Sequence, residues 1–413
     1  MNRRVVVTGM GIVSPLGCGV DEVWSRIVAC ESGIHELTLV DTTDFKVRIG
    51  GDIRDWNPVG YLDPKEMKRV ERFSQFALVA AVDAGRNAKL DWESLDRPRS
   101  GVIMGSGVGG LGEIERQMSR LMAKGPDRVS PMTVPRMMAN AAGGNVAIQF
   151  GLKGINYAVA TACASATNAI GEAFHTVRNG LLDFVVTGGT EAAICGMSLA
   201  AFQNIKALSR RNDEPEKASR PFDKKRDGFV FAEGAGVLLL ESLEHAQRRG
   251  APIMAEVLGY GCSCDALHIT QPDESGGGPS RAMQAALEDA GLPPDAIDYV
   301  NAHGTSTPQG DVAETRAIKK VFGDHAYGLS VSSTKSQLGH SLGASGGCEL
   351  VVTIRGMQEG TVPPTINLEY PDPECDLDYT PNEPKAREIR RAMSNSFGFG
   401  GHNASVIVGR FDG

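Results

Sequence analysis

The sequence has few of the features that mark membrane, nucleic-acid-binding or secreted proteins. Among its 413 residues no apolar stretch approaches the length needed to cross a bilayer, and Met1–Leu16 has too short an apolar core for a signal peptide. The net charge of −8 gives no overall electrostatic support for binding nucleic acid. Low-complexity segments and long linkers are also missing, so we expect a globular protein without a membrane role.

Cysteine is present, but not in the patterns of metal sites. The eight cysteines are spread through the chain, and no two of them have Cys-x-x-Cys spacing. The close pair Cys262 and Cys264 has no histidine at zinc-finger spacing, which argues against a structural zinc site. We therefore expect free thiols in a reducing, cytoplasmic setting.

What the sequence does have is a globular composition and a regular alternation of strands and helices. It is 41% apolar and 22% charged, and its 50 glycines indicate many tight turns. The alternation predicts α/β layers with buried parallel strands. The chain also reads as two related halves that meet near Glu241–Met254, and we predict an N-terminal half over residues 1–250 and a C-terminal half over residues 251–413.

Nine strands and eight helices are predicted from apolar periodicity. The predicted strands are Arg4–Thr8, Ser100–Met104, Ile155–Ala160, Phe184–Thr187, Gly236–Leu240, Met254–Tyr260, Tyr299–Ala302, Leu329–Ser332 and Ala404–Val408. The predicted helices are Val20–Ala29, Val70–Ala88, Glu113–Ala123, Ala164–Asn179, Leu243–Arg249, Pro279–Ala290, Asp311–Phe322 and Ala344–Gln358.

Cys163 is the candidate nucleophile. It lies where the predicted strand Ile155–Ala160 passes into a helix, and small residues surround it. A thiol in the first turn of a helix faces unpaired N–H groups and the positive end of the helix dipole, and both favour the nucleophilic thiolate. The alternative is a free cysteine that serves as a small core residue.

Two histidines stand in loops of the same kind. His303 follows a predicted strand within Tyr299–Pro308, and His340 lies between a short strand and a helix within Ser332–Gly347. Each is followed or preceded by glycine, and loops of this type gather at the carboxyl edge of α/β sheets. One cysteine and two histidines in such loops predict a nucleophilic centre.

Three segments in combination reveal a family resemblance. They are Thr-Ala-Cys-Ala-Ser at Cys163, Asn-Ala-His-Gly-Thr-Ser-Thr-Pro at His303, and Ser-Thr-Lys-Ser followed by Gly-His at His340. With Val5–Gly11 and Asn395–Asn403 near the two ends, the chain resembles the β-ketoacyl-acyl carrier protein synthases. It looks most similar to the elongating type II condensing enzymes of dissociated fatty-acid synthesis.

The resemblance implies both a fold and a reaction. The implied fold is a thiolase-like α/β fold with two pseudo-repeated βαβαβαββ halves in a layered α-β-α-β-α arrangement. The implied reaction is a decarboxylative Claisen condensation, in which Cys163 takes an acyl chain from an acyl carrier protein and malonyl carrier protein loses carbon dioxide. The N–H groups of Cys163 and Phe399 would form the oxyanion hole, and His303 and His340 would hydrogen-bond the malonyl thioester oxygen.

Further residues are implied by the same resemblance. Lys335 supports the site near Glu349, where a structural ion pair and a direct catalytic role both stay open. No organic cofactor is required, but a structural monovalent or divalent cation is a candidate, with the ligands Asn301, Glu349, Ser394 and Asn395. The candidate substrate contacts are Val108, Phe202, Thr305, Thr307 and Phe399, with core packing or turn stabilisation as the alternative role.

A loop and a charge cluster also need an interpretation. Met104–Gly112 carries a Gly-x-Gly-x-x-Gly pattern, but a helical run follows instead of a second strand, which argues against a dinucleotide site. The spacing of the basic residues Lys65, Lys68, Arg69 and Arg72 predicts one helical face. The resemblance makes this face a docking site for an acidic acyl carrier protein, together with Arg128 and Lys206; a solvated surface is the alternative.

The resemblance also implies a homodimer and leaves rival functions open. A polyketide-type ketosynthase has the same fold and differs in carrier and pocket length. A non-catalytic subunit that sets chain length would lack the nucleophile, so Cys163 argues against it. A thiolase would need a second cysteine in the last motif, where Gly401–Asn403 has none.

Overall fold

The computed structural model describes residues 3–413, which contain the following elements. The strands are β1 (Val5–Ser14), β2 (Gly17–Cys18), β3 (His35–Glu36), β4 (Ile49–Gly50), β5 (Ser100–Gly105), β6 (Asn156–Val159), β7 (Phe184–Glu191), β8 (Gly234–Ser242), β9 (Ala255–Cys264), β10 (Tyr299–Asn301), β11 (Ser330–Ser332), β12 (Thr361–Val362), β13 (Lys385–Ala386), β14 (Arg391–Gly398) and β15 (His402–Gly409). The helices are α1 (Val20–Val28), α2 (Pro64–Met67), α3 (Arg72–Asn87), α4 (Leu111–Lys124), α5 (Thr133–Met137), α6 (Ala141–Phe150), α7 (Ser165–Arg178), α8 (Gly196–Asn204), α9 (Leu243–Arg248), α10 (Gly277–Ala290), α11 (Pro308–Phe322), α12 (Lys335–Leu338) and α13 (Ser345–Glu359).

The two halves of the main sheet have equivalent strand arrangements when each half is read from its outer edge inward. Its order is β11-β10-β14-β15-β9-β1-β8-β7-β5-β6, and β2 pairs with β1 at the side. The halves join where β1 and β9 pair antiparallel over a short register, Val5–Val7 against Ala255–Val257. In each half two parallel strand pairs lie on the outside and antiparallel strands lie inside, so β5, β6, β7 and β8 match β10, β11, β14 and β15.

Two buried helices lie between the halves and position the site. Helix α7 contacts β7 and β15, and α13 contacts β8 and β14, so each helix touches strands of both halves. Helices α3 and α6 cover the outer face of the N-terminal half, and α10 covers β9 and β15 of the other. This is the α-β-α-β-α layering that the resemblance implied. A Cβ at Gly236 of β8 would lie 2.1 Å from the backbone N of Cys348, so this close packing of α13 requires a glycine.

Most predicted elements are confirmed to within a few residues. The strand predicted at Phe184–Thr187 extends to Glu191, and that predicted at Arg4–Thr8 extends to Ser14. Strand β14 and helices α6 and α8 had not been predicted. The predicted division at residue 250 falls between α9 and β9 and stays a prediction.

The predicted basic helical face is wrong. Helix α2 ends at Met67, so Lys68 and Arg69 lie outside it, and a new helix begins at Arg72. The carboxylate of Glu71 accepts a hydrogen bond from the backbone N–H of Phe73 and caps this second helix. The basic residues therefore lie on a helix–loop–helix corner.

None of the helices in residues 3–413 combines the length and the apolar character that crossing a bilayer would demand.

Candidate active site

Cys163 lies in a strained turn between β6 and α7. The backbone of Ala162 has a φ of 50°, in the left-handed region that a non-glycine residue rarely adopts. The hydroxyl of Ser165 holds the turn, because it accepts from the N–H of Thr161 at 2.9 Å and donates to the carbonyl of Ala162 at 2.6 Å. Cys163 is 8% exposed. It lies two residues before Ser165, the first residue of α7, and so at the N-terminal end of the helix, as predicted.

The structure brings the three predicted catalytic side chains together. The Nε2 atom of His340 is 3.0 Å from the Sγ atom of Cys163. The ring of His303 lies edge to face with that of His340, with centroids 5.4 Å apart. One ligand-type atom from each of Cys163, His303 and His340 lies within 4.8 Å of the other two.

Backbone contacts fix the two histidines. The N–H of His303 donates to the buried carboxylate of Glu314 at 2.8 Å, and Gly304 donates to the same carboxylate. The N–H of His340 donates to the carbonyl of Val230 at 2.7 Å. Both loops therefore have little freedom before a substrate arrives, which is the preorganisation that stabilisation of a developing charge requires.

The thiol of Cys163 is not a resting thiolate, contrary to the sequence-based expectation. Burial raises its pKa to about 11, and the nearby charge of Glu191 acts in the same direction. The ammonium of Lys335 and the backbone N–H groups of Phe399 and Cys163 lower the pKa, but they do not offset the burial. The thiol must therefore lose its proton as it reacts, and the adjacent imidazole of His340 is placed to take it.

Both imidazoles are neutral in the resting site. Burial lowers the pKa of His303 and of His340 well below the usual value, and the charge of Lys335 adds to this effect. The Nδ1 atom of His340 is 2.9 Å from the hydroxyl of Ser345, which can accept from an Nδ1–H and leave Nε2 free to take a proton, or donate to a bare Nδ1 and leave the hydrogen on Nε2. A neutral imidazole with a hydrogen on Nε2 is a hydrogen-bond donor toward the cavity.

Lys335 and Glu349 form a fully buried ion pair behind the histidines. The ammonium of Lys335 contacts the carboxylate of Glu349 and donates to the carbonyl of His303 at 2.7 Å. Burial raises the pKa of Glu349, and Lys335 opposes that shift. Lys335 thus positions His303 through its backbone and places positive charge near the thiol and both imidazoles. This charge also disfavours a divalent metal ion bound directly by the cysteine and the histidines.

Three of the four predicted cation ligands have oxygens without a hydrogen-bond partner among residues 3–413. These buried atoms are Asn301 Oδ1, Glu349 Oε2 and Ser394 Oγ. Asn301 and Ser394 are register partners on β10 and β14, and Asn301 Nδ2 lies 3.4 Å from the carbonyl of Glu349. The side-chain oxygen of Asn395 differs, since it accepts from Ser405 at 2.7 Å. Hard oxygen atoms that lack donors fit a small hard cation.

The predicted oxyanion donors converge on the sulfur. The N–H groups of Phe399 and Cys163 lie near the Sγ atom of Cys163, where both lower the pKa of the thiol. Gly398 ends β14 directly beside this turn, and a Cβ there would lie 3.0 Å from the N atom of Cys163. The absence of a side chain at Gly398 therefore keeps the N–H of Cys163 accessible to a substrate oxygen.

The site opens into a cavity of about 610 Å³. All five predicted substrate contacts line it: Val108, Phe202, Thr305, Thr307 and Phe399. The hydroxyls of Thr305 and Thr307 are 3.0 Å apart at the start of α11. Phe202 packs edge to face on Phe229 and Phe231, so it is both a core residue and a cavity wall.

The predicted docking residues divide into two groups. Lys65, Lys68, Arg69, Arg128 and Lys206 are exposed, and Lys206 also lines the cavity mouth. Arg72 does not belong with them, because its guanidinium is directed inward and donates to the buried carboxylate of Glu233 at 2.5 Å and to the carbonyl of Ile53. Its role is to hold the start of α3.

Sequence reasoning missed several residues that shape the site. Ser345 contacts His340, Glu314 holds the loop of His303, and Glu191 binds the loop that carries Val108. The segment between α2 and α3 that carries Lys68 and Arg69 is called the docking corner below. Arg136 of α5 donates to the carbonyls of both residues and so joins α5 to this corner. Ser345 acts on a side chain five positions before it, whereas the other three act on backbone groups 11 to 83 positions away, and no local pattern identifies any of the four.

Comparison with known proteins agrees with this site. Residues 2–246 match the family model "Beta-ketoacyl synthase, N-terminal domain", and residues 254–369 match "Beta-ketoacyl synthase, C-terminal domain". The chain is 50% identical over 409 residues to 3-oxoacyl-[acyl-carrier-protein] synthase 2 of Synechocystis sp., covering 99% of this chain and 98% of the relative. It is 50% identical over 411 residues to the protein of the same name from Staphylococcus aureus, covering 100% and 99%.

A solved structure shows the same fold. It is described as a type II polyketide acyl carrier protein in complex with its ketosynthase bound to the hexaketide. The match covers 100% of both chains with a TM-score of 0.91 and 35% identity. The chain therefore belongs to the β-ketoacyl synthase family of thiolase-like condensing acyltransferases.

Proposed function

We propose that the chain elongates acyl groups on an acyl carrier protein by two carbons, as a 3-oxoacyl-[acyl-carrier-protein] synthase. The observation that carries the proposal is the contact between Cys163 Sγ and His340 Nε2 at 3.0 Å, with His303 beside it at the base of an open cavity. A nucleophile with two imidazole donors has the groups needed both to hold an acyl chain and to stabilise an enolate.

The first step transfers the acyl chain to Cys163. This step starts from the tautomer of neutral His340 that has its hydrogen on Nδ1. As the sulfur attacks the thioester carbonyl, its proton passes to the free Nε2 of His340, which is 3.0 Å away. The negative charge on the carbonyl oxygen is bound by the N–H groups of Cys163 and Phe399. The C–S bond to the carrier then breaks, and the carrier thiolate leaves with the proton that His340 had received.

The second step releases carbon dioxide from malonyl carrier protein. The bond between the methylene carbon and the carboxylate breaks, and its electrons form an enolate. The enolate oxygen accepts hydrogen bonds from His303 and from the other neutral tautomer of His340, which has its hydrogen on Nε2. The enolate carbon attacks the acyl carbonyl on Cys163, and the C–S bond breaks to give the 3-oxoacyl product and the thiolate. Both imidazoles are neutral because burial lowers their pKa, which suits hydrogen-bond donation without loss of a proton.

The cavity supports assignments for the rest of the substrate. Thr305 and Thr307 would hydrogen-bond the amides of the phosphopantetheine arm, and their position in the cavity lining supports this role. Val108 and Phe202 would form the wall of the acyl pocket, and Phe399 would be its movable gate. Lys65, Lys68, Arg69, Arg128 and Lys206 would bind the acidic carrier, because all five are exposed and Lys206 also lines the cavity.

Fatty-acid elongation is favoured over polyketide synthesis as the pathway. The relatives named 3-oxoacyl-[acyl-carrier-protein] synthase 2 are 50% identical to this chain, whereas the matching chain of the polyketide complex is 35% identical. A non-catalytic role is not supported, since the nucleophile and both histidines are present and assembled.

We also propose a homodimer formed through β6. This strand is one end of the main sheet and is half exposed, with Tyr157 40% exposed, whereas the strand at the other end, β11, is buried. Large apolar side chains nearby in sequence are exposed, including Ile148 at 82%. An open strand edge flanked by apolar residues is a typical dimer interface. Light scattering should give twice the chain mass, and a monomer at assay concentration would contradict this proposal.

A cation bound by Asn301, Glu349 and Ser394 is proposed as a structural element. When bound, it would supply positive charge to three buried oxygens that lack donors within residues 3–413. The test is thermal unfolding in buffers that contain choline, sodium, potassium or magnesium as the cation. One of the metal cations should raise Tm in the wild type and not in Ser394→Ala; equal Tm in all four buffers would contradict the site.

Cytoplasmic location is likewise a proposal, supported by eight cysteines that are free in the described chain.

The test of the function is a condensation assay with purified acyl- and malonyl-loaded acyl carrier protein. The wild type should form 3-oxoacyl carrier protein and carbon dioxide in equal amounts, and Cys163→Ala should form no 3-oxoacyl product. Absence of product from the wild type across short, medium and long acyl chains would contradict the proposed function.

A further inference from the structure

Glu191 is a buried carboxylate that the reaction steps above do not use. It is the last residue of β7, and its side chain is completely buried. The ion pairs found within residues 3–413 do not include it. Burial raises its pKa to about 7, although several hydrogen-bond donors oppose the shift. A buried carboxylate without a cation is costly, so its surroundings must compensate for the loss of water.

Main-chain N–H groups from two separate loops supply that compensation. Oε2 of Glu191 accepts from the N–H of Gly107 at 2.6 Å and from the N–H of Gly343 at 3.1 Å. Oε1 accepts from the hydroxyl of Ser106 at 3.0 Å and lies 3.4 Å from the N–H of Val108. Four donors on one carboxylate make an anion-binding pocket that the protein fills with its own side chain.

The two loops joined in this way both belong to the active site. Residues 106–108 carry Val108 on the cavity wall, and a Cβ at Gly107 would lie 3.5 Å from the carbonyl of Ala162 in the nucleophile turn. Gly343 lies three residues after His340, whose Nε2 contacts the sulfur. Glu191 therefore connects the acyl-pocket wall in the N-terminal half to the histidine segment in the C-terminal half.

We propose that Glu191 is a positioning residue of the condensation site: its carboxylate occupies an anion pocket of main-chain N–H groups and thereby holds the Val108 loop against the segment that follows His340. The proposal rests on the function proposed above and extends it to a residue outside the reacting groups. Loss of the carboxylate leaves the N–H groups of Gly107 and Gly343 unpaired, so the two loops separate or admit water.

The test is chemical rescue of Glu191→Ala with formate. Misplaced catalytic groups lose on the order of 10- to 100-fold in rate, and we expect a loss of this size in acyl transfer from long-chain acyl carrier protein. Formate, a carboxylate small enough for the vacated pocket, should restore part of the rate as its concentration rises, with ionic strength held constant by chloride. Glu191→Gln should lose rate without rescue, because its amide fills the pocket and cannot accept all four hydrogen bonds.

Glu241→Ala is the matched control. Glu191 lies beside Gly234 at the start of β8, whereas Glu241 lies near the end of that strand and is equally buried. The carboxylate of Glu241 pairs with Arg249 instead of with main-chain donors. Formate should change neither this variant nor the wild type. A second readout is the pH dependence of Cys163 alkylation: the charge of Glu191 raises the pKa of the thiol, so Glu191→Gln should move the profile to lower pH.

The outcomes separate the two proposals. If the wild type condenses and Glu191→Gln matches its rate and alkylation profile, Glu191 is not a positioning residue, whether or not Glu191→Ala folds. The same conclusion follows if formate stimulates Glu241→Ala as strongly as Glu191→Ala. If the wild type itself does not condense, the proposed function fails and not only the role of Glu191.

Discussion

Two turns occupy matching positions in the two halves of the molecule, and they differ in what lies beside their main-chain N–H groups. The turn Ala162–Ala164 precedes α7, and the turn Leu342–Ala344 precedes α13. Each begins with a non-glycine residue in the left-handed region, Ala162 at a φ of 50° and Leu342 at 46°. Each is followed by a helix that starts at a serine, Ser165 or Ser345.

The strand that ends beside each turn determines what the turn can do. Beside the first turn β14 ends in Gly398, so the N–H of Cys163 stays open to a substrate oxygen. Beside the second turn β7 ends in Glu191, whose carboxylate already occupies the N–H of Gly343. One backbone geometry thus gives an open oxyanion hole in one half and a filled one in the other.

The two serines differ in the same way. Ser165 bonds within its own turn and holds the strained nucleophile segment. Ser345 instead contacts the Nδ1 atom of His340 and sets which nitrogen faces the sulfur. The N-terminal turn therefore presents the nucleophile, and the C-terminal turn presents its proton partner. The fold has divided one reaction between two copies of a similar unit.

Removing the nucleophile should have the largest effect. We expect Cys163→Ala to lower condensation by about 10³-fold or more, because the variant lacks the thiol that holds the acyl chain as a thioester. Decarboxylation of malonyl carrier protein should survive, since His303 and His340 remain. Separate assays of carbon dioxide release and 3-oxoacyl product measure the two steps. Equal loss of both would show that the turn does more than present the sulfur.

The histidines should divide between the two steps. Either His303→Ala or His340→Ala should lower decarboxylation by about 10²- to 10³-fold, as expected for loss of one donor to a developing oxyanion. His340→Ala should also slow acyl transfer, because its Nε2 contacts the sulfur at 3.0 Å. Single-turnover acylation with labelled acyl carrier protein measures this step. An equal acylation rate in the two variants would contradict the assignment of His340 as proton acceptor.

A side chain at position 398 should cover the N–H of Cys163, much as Glu191 covers the N–H of Gly343 in the other half. In Gly398→Ala the methyl group would lie about 3.0 Å from the N atom of Cys163, and we expect acyl transfer to fall by about 10²-fold. Gly144→Ala is the control, because a Cβ at Gly144 meets nothing within 4 Å. Stopped-flow acylation with both variants decides the matter. Full activity of Gly398→Ala would mean that the N–H of Cys163 does not bind the substrate oxygen.

Removing the buried ammonium should change stability and thiol reactivity together. Lys335→Met leaves Glu349 without its partner, and such a loss costs about 3–5 kcal/mol in free energy of unfolding. Because Lys335 lowers the pKa of Cys163, its removal should shift Cys163 alkylation by iodoacetamide to higher pH. The double variant Lys335→Met with Glu349→Leu should recover stability but keep the shifted profile. An unshifted profile in both would remove Lys335 from the electrostatics of the site.

Charge reversal at the docking corner should have the smallest effect. Lys68→Glu with Arg69→Glu should raise KM for the carrier protein on the order of tenfold at low salt, with kcat unchanged. The difference should shrink as salt screens the charges. Arg248→Glu with Lys320→Glu, which reverses two exposed charges elsewhere, is the control. Unchanged kinetics at low salt would remove the docking assignment.

The sequence was informative where structure follows from local pattern. Apolar runs such as Phe184–Thr187 and the three segments around Cys163, His303 and His340 were enough to predict the layers and the reacting groups. Strand β14 was missed because Ala392–Ser396 mixes polar and apolar residues yet is fully buried between β10 and β15. The side chains of Asn395 and Ser396 are satisfied by tertiary partners that no local pattern shows.

Long-range effects account for the other errors. The thiol of Cys163 was expected to ionise from its helix position, but burial outweighs the helix and raises its pKa to about 11. Arg72 was grouped with the docking residues by spacing, although Glu233 holds it from 161 positions away. Glu191 gave no signal, because a single acidic residue after a strand becomes notable only when Gly107 and Gly343 converge on it.

The most direct measurement is intact-mass analysis of the protein after mixing with acyl carrier proteins of several chain lengths, followed by peptide mapping of the adduct. If the N–H groups of the Cys163 turn are open to substrate and those of the Gly343 turn are occupied by Glu191, each accepted chain should add one acyl group. Peptide mapping should place this group on the sulfur of Cys163. An acyl group on another residue would contradict the central claim. So would the absence of any adduct with fully acylated carrier proteins of every chain length tested.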